Sequence, residues 1–171
     1  MAIEEQTQYN MSWALHVGTT NEVGQRLTIP DRKLTHLGFW LHKEGTPTLT
    51  ITYQIRHSAD NSLIYEQVAC NQGALTTVPQ YIEIKLDTPQ ELNEEVVLNA
   101  YADIGAAGQC CRISAQDTDV KANEVLTRRT TTWADFSTYD LAYRYTYEEE
   151  AAGLENKSAN MAAKMVAAGM I

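Results

Sequence analysis

Between Trp13 and Tyr147 apolar and polar residues alternate with a period of two, the signature of strands that bury one face. In the run Leu34 to Glu44, Leu37, Phe39 and Leu41 share one face, and His36, Gly38, Trp40 and His42 share the other. Thr48 to Arg56 repeats the pattern, with Leu49, Ile51, Tyr53 and Ile55 opposed to Thr48, Thr50, Thr52, Gln54 and Arg56. The segment Glu44-Gly45-Thr46-Pro47 between them has hairpin length and turn residues, so the two runs are expected to pair antiparallel. A polar turn at Ser58 to Ser62 leads into a third strand carrying Leu63, Ile64, Tyr65 and Val68. Gln80 to Leu86 turns Ile82, Ile84 and Leu86 inward and Tyr81, Glu83 and Lys85 outward.

After a connection over Asp87 to Glu95, the run Val96 to Tyr101 is almost continuously apolar, as in a strand covered on both faces. A small-residue turn at Gly105 to Gly108 precedes a strand at Cys110 to Ala115. Asp117 to Thr132 has little periodicity and reads as a long loop. Leu141 to Tyr147 closes the series, with Leu141, Tyr143, Tyr145 and Tyr147 on one side and Ala142, Arg144 and Thr146 on the other. Short strands near Trp13 to Val17 and Gln25 to Ile29 bring the total to about nine, a number suited to an antiparallel β-sandwich.

The chain divides into an extension over 1–12, a sandwich over 13–147 and a tail over 148–171. From Ala151 onwards the composition shifts to Ala and Met, and helical spacing lines up Leu154, Met161, Met165 and Ala168 in one stripe. A single helix of that length needs a surface to dock on. Two surfaces qualify, its own sandwich and a neighbouring subunit, and the adaptable Met side chains suit either.

With 171 residues the chain has room for one hydrophobic core. Its formal charge of −9 lacks the basic footprint that phosphate binding requires, which argues against nucleic acid and against an anionic membrane surface. Met1 to Asn10 shows no basic region followed by an apolar core, and no run reaches the roughly 20 apolar residues of a membrane helix, so a protein made and kept in solution, or leaving the cell inside something larger, is expected. The three cysteines, Cys70, Cys110 and Cys111, are odd in number and include an adjacent pair, which favours free thiols over a disulfide framework. A bridge from Cys70 to one of that pair is the alternative.

Catalytic patterns are not legible in the residues. His36 and His42 share a strand face, but six residues of strand separate them by roughly 20 Å, too far for one metal ion. Asp117, Asp119, Asp135 and Asp140 are carboxylates of the late loops without the fixed spacing of a calcium site, so they read as solvated. Trp40 stands on the polar face of its strand and, with Tyr139, is a candidate either to stack on a sugar ring or to fill an interface. Trp13 and Trp133 read as residues of the core edge.

The order of segments resembles a known type of module. Leu37-Gly-Phe-Trp-Leu-His-Lys-Glu-Gly-Thr-Pro leads into Thr48-Leu-Thr-Ile-Thr-Tyr-Gln-Ile-Arg, followed by Leu86-Asp-Thr-Pro-Gln-Glu-Leu, Val96-Val-Leu-Asn-Ala-Tyr-Ala and a closing aromatic strand. This is similar to the jelly-roll modules, akin to carbohydrate-binding domains, that recur in phage structural proteins and bacterial surface proteins. The resemblance covers roughly Trp13 to Tyr147 and rests on turn and core patterns, so no binding residue transfers with it. It implies a jelly-roll sandwich in a non-catalytic virion protein, such as a capsid decoration, fibre or neck component, assembled in the host cytoplasm. Such a protein contacts copies of itself or other virion proteins and needs no cofactor. The alternative is a carbohydrate-binding module using surface Trp and Tyr.

Overall fold

In the computed structural model, which describes residues 1–16, 21–102 and 108–149, eleven strands join in one antiparallel sheet. They are β1 (Ala2–Gln6), β2 (Met11–Leu15), β3 (Glu22–Glu44), β4 (Thr50–His57), β5 (Leu63–Asn71), β6 (Gln80–Ala102), β7 (Cys110–Gln116), β8 (Val125–Arg129), β9 (Trp133–Phe136), β10 (Asp140–Leu141) and β11 (Tyr143–Glu149). The tail stripe Leu154, Met161, Met165 and Ala168 lies outside the described residues, as does most of the turn expected at Gly105 to Gly108.

The frame is the antiparallel pairing of β3 with β6, two strands of 23 residues each. Run straight, each would span roughly 75 Å, against about 40 Å for the width of a compact chain of this length. The strands therefore bend, at two places where their register shifts. Pro30 and Asp31 oppose Asn93 at one, and Thr35 opposes Leu86 to Pro89 at the other. Pro30 has no N–H to give to a ladder, and Asp31 takes φ +41, which turns the chain sharply.

Beyond the bend the two halves of the frame recruit different neighbours. The first half of β3 lies between β6 and β8, and β9 extends that side. The second half pairs with β11 and then β7, which bring in β1 and β2. β4 lies on the second half of β6 and carries β5 at the margin. Tyr53 of β4 then packs edge-on against Phe39 in the far half of β3, with ring centroids 4.9 Å apart. The sheet is thus sandwich-like, folded over one continuous core that includes Leu27, Phe39, Tyr53, Leu98, Ile113 and Tyr145.

The faces follow the alternation closely. Leu37, Phe39 and Leu41 are buried while Trp40 is half-exposed, and every residue from Val96 to Ala100 is buried, as a doubly covered strand requires. The hairpin over Ser58 to Ser62 also forms, closed by His57 N–H donating to Ser62 O at 2.9 Å.

Other expectations are corrected. The run 34–44 does not pair with β4; Glu44 to Pro47 is a crossover between layers, held by Thr46 N–H donating to Gln109 Oε1 at 2.7 Å. Turn residues say that a chain reverses, not which strand receives it. Asp87 to Glu95 is the bent corner of β6, and Asp117 to Thr132 contains β8. Residues 1–12 contribute β1 and the start of β2 to the sheet.

Among the described residues, the first half of β6 has no strand on its second side. Side chains from the other layer satisfy that edge instead: Gln67 Nε2 donates to Lys85 O at 3.2 Å and Asp87 N–H donates to Tyr65 Oη at 2.9 Å, while Tyr53 Oη ties the layers by donating to Ile82 O at 2.9 Å. Tyr53→Phe removes the hydroxyl bond between layers, so its unfolding free energy in urea should fall by about 1 kcal/mol. An unchanged denaturation midpoint would show that the Tyr53 tie contributes nothing.

Candidate functional site

The outward face of β3, β6 and β11 carries the most distinctive surface chemistry. Strand register sets Glu5, Arg144, Gly38 and Glu83 in one row and Trp40 beside Tyr81 in the next. The Trp40 and Tyr81 rings lie 4.6 Å apart at 38°. Arg144 stands over both, 4.9 Å from the Tyr81 centroid and 5.7 Å from that of Trp40. This is a cation–π arrangement on a partly wetted face.

Each member is held in place. Tyr81 lies across Gly38, where an added Cβ would come within 2.5 Å of its ring, so the absence of a side chain there makes room for the platform. Tyr81 Oη donates to Glu83 Oε1 at 2.6 Å, and Arg144 pairs with Glu5 of β1. Burial and the neighbouring Glu83 raise the Tyr81 pKa far above the usual phenol range, so the hydroxyl stays a donor. The result is a partly exposed pair of tilted aromatic rings under Arg144, with carboxylates at its rim.

Trp40 therefore belongs to a surface platform, but Tyr139 does not join it. Tyr139 packs on Trp13 and Phe136, with centroids 6.0 and 6.3 Å away, and Arg128 covers Trp13 at 4.7 Å. These residues seal the core where β2 faces β9, so Tyr139 is a core-edge residue, as Trp13 was expected to be. Trp133 of β9 is half-exposed and sits opposite Arg129 in the ladder. Tyr81 and Arg144 are the platform members that sequence reasoning missed. Both were read as outward-facing, but only non-local register brings them to Trp40.

The loop carboxylates also separate. Asp117 exchanges hydrogen bonds with Asn10, and Asp135 pairs with Arg26 at 3.1 Å, both at the surface. Asp140, expected to be solvated, is 0% exposed. It accepts from Gln25 Nε2 at 2.7 Å and from the backbone N–H groups of Val120 and Lys121 at 2.6 and 2.8 Å, pinning the preceding loop to β3. Glu22 is likewise buried and paired, with Arg129 at 2.5 Å and Arg56 at 3.4 Å.

His42 is half-buried, and burial together with Arg112 lowers its pKa. His57 contacts Glu94 at 2.7 Å. Among the described residues no group of three or more His, Cys, Asp or Glu is placed to hold a metal ion. Cys70, Cys110 and Cys111 are free thiols whose pKa values burial raises, which fits inert packing residues. At the bend, a pocket of about 420 Å³ is lined by Asp31, Arg32, Lys33, Glu91 and Leu92, with the end of β11. Its mixture of charges selects no ligand class.

No family model and no curated protein matches this chain.

Two substitutions should separate platform from scaffold. Gly38→Ala should displace Tyr81 from Trp40, seen as loss of ring-current shifts in NMR, with stability changed by less than about 1 kcal/mol because the ring can swing into solvent. Asp140→Ala should leave those shifts intact and cost about 2–3 kcal/mol, since one buried and two part-buried donors lose their acceptor.

Proposed function

We infer that this chain is a non-catalytic structural protein of a virion, a phage capsid decoration, fibre or neck component, acting through contacts with copies of itself or with other virion proteins. The observation that carries this reading is the state of the sheet margins. The two strands that end the sheet order, β1 and β5, both carry exposed apolar side chains: Ile3 is 57% exposed, Leu63 44% and Val68 60%. A strand edge offers unpaired backbone groups, and apolar side chains beside it favour a further chain there. In this reading the body is a jelly roll, and the tail adds a second contact through Leu154, Met161, Met165 and Ala168. The virion setting, with assembly in the host cytoplasm and no cofactor, is suggested by the resemblance of the turn and core patterns to those of phage structural modules.

Sedimentation of the full chain, beside a chain ending at Glu149, tests the assembly role. Oligomers that grow with concentration and weaken on removal of the tail are expected. A monomer at every concentration in both chains would overturn the reading.

A second reading has its own observation, the half-exposed Trp40 and Tyr81 platform with Glu5 and Glu83 at its rim. Such a surface suits a neutral pyranose, with the ring face stacked on the aromatics and hydroxyls donating to the carboxylates. Binding on a glycan array that disappears in Trp40→Ala would favour this carbohydrate-binding module. A blank array would dismiss it.

A further inference from the structure

β1 is bound to the sheet in an unusual way. Among the described residues it is laddered to one strand, β11, through five register pairs from Ala2↔Tyr147 to Gln6↔Tyr143. Its inward positions are Ala2, Glu4 and Gln6, so it places no large apolar side chain in the core. Ile3 points outward and is more than half exposed. What retains β1 is therefore polar: the ladder itself, Glu4 with Lys121 and with Arg32 at 3.6 Å, and Glu5 with Arg144. Exposed and half-exposed ion pairs of this kind contribute about 0–1 kcal/mol each and weaken in salt.

The acceptor side differs. β11 buries Tyr143, Tyr145 and Tyr147 at 0%, 1% and 6% exposure, and among the described residues β1 alone covers its outer backbone edge. Departure of β1 without replacement would strip that edge, whereas an identical strand from another copy would restore every bond. Such an exchange is nearly neutral in contacts and is governed by concentration and by the hinge.

The hinge is well defined. Thr7, Gln8 and Tyr9 are exposed, and the chain is clamped immediately afterwards, where Asn10 N–H donates to Ala115 O at 3.1 Å and Asn10 Nδ2 donates to Asp117 Oδ1 at 2.6 Å. Three residues thus connect a weakly held strand to a firmly held one.

We propose that β1 is an exchangeable arm, and that the edge of β11 accepts β1 from a second copy of this chain. The proposal rests on the assembly reading and names its contact. Exchange covers the β11 edge in trans and leaves the Trp40 platform facing outward, with Glu5 of one copy pairing with Arg144 of the other.

The test uses two full-length variants, Ile3→Cys and Thr146→Cys, which alter residues that face each other across the β1 and β11 ladder. The variants are mixed at high protein concentration in moderate salt, oxidised and separated without reductant. A covalent heterodimer that requires both variants is expected, while the double variant should close its bridge within one chain. Deleting Thr7 and Gln8 leaves too little hinge for β1 to reach its own β11, and should raise the heterodimer yield severalfold and make the chain dimeric in sedimentation. If the mixture gives no heterodimer while the unaltered chain still sediments as an oligomer, exchange is overturned and the assembly reading stands. Monomers throughout, the shortened-hinge chain included, would overturn both.

Discussion

The architecture depends on two 23-residue strands having to share one ladder inside a body too narrow for either to run straight. Bending is the resolution, and it is localised where the backbone can depart from a regular ladder: at Pro30 and Asp31, and where Leu86 to Pro89 oppose the single residue Thr35. Because both strands bend together, the pairing resumes after each register shift and the same two strands run through both layers. That places Phe39 against Tyr53, and it brings Tyr65 and Gln67 of β5 to the unpaired side of β6. The same bend creates the outward face on which Trp40, Tyr81 and Arg144 meet.

Within this frame, buried polar groups decide which arrangement is unique. Gln25 is fully buried between apolar neighbours, donating to Asp140 and accepting from Leu141 N–H at 2.8 Å. A slip of β3 by one residue would turn Gln25 outward and leave Asp140 without that donor, a cost that adds to the apolar burial lost as Val23, Leu27 and Ile29 turn with it. Glu22, between Arg56 and Arg129, acts similarly for β3, β4 and β8. Paired buried charges add little net stability, yet breaking one partner is expensive, so their effect here is on register.

Local pattern revealed the faces and not the partners. Period two placed Leu37, Phe39, Leu41, Ile51, Tyr53 and Ile55 on the core side, because burial of alternate residues is a property of one strand alone. Strand partners are non-local, and the short Gly and Pro segment at Glu44 to Pro47 could not tell a hairpin from a crossover. β8 escaped notice because a five-residue strand rich in Thr and Arg has only Leu126 turned fully inward as an apolar marker. Asp140 looked like any loop acid, since its buried state is set by Gln25, 115 residues away. For the same reason Trp40 could be singled out as an outward ring, while Tyr81 and Arg144 could not be joined to it.

The platform and the sheet margins make different demands on a partner. A sugar stacking on Trp40 and Tyr81 must displace or cover the Arg144 guanidinium, giving up a cation–π contact of about 0.5–1 kcal/mol at a partly exposed site. The Glu5 pairing would weaken as well. A polypeptide partner has no such cost at the β5 margin, where Leu63 and Val68 already face solvent, nor at β11 if it supplies a strand identical to the one it replaces. Arg144 couples the two surfaces, because its Glu5 partner sits on β1. If β1 moves from one copy to another, the charge that steadies the platform arrives with it. Occupancy of the β11 edge and order on the aromatic face are then consequences of one contact.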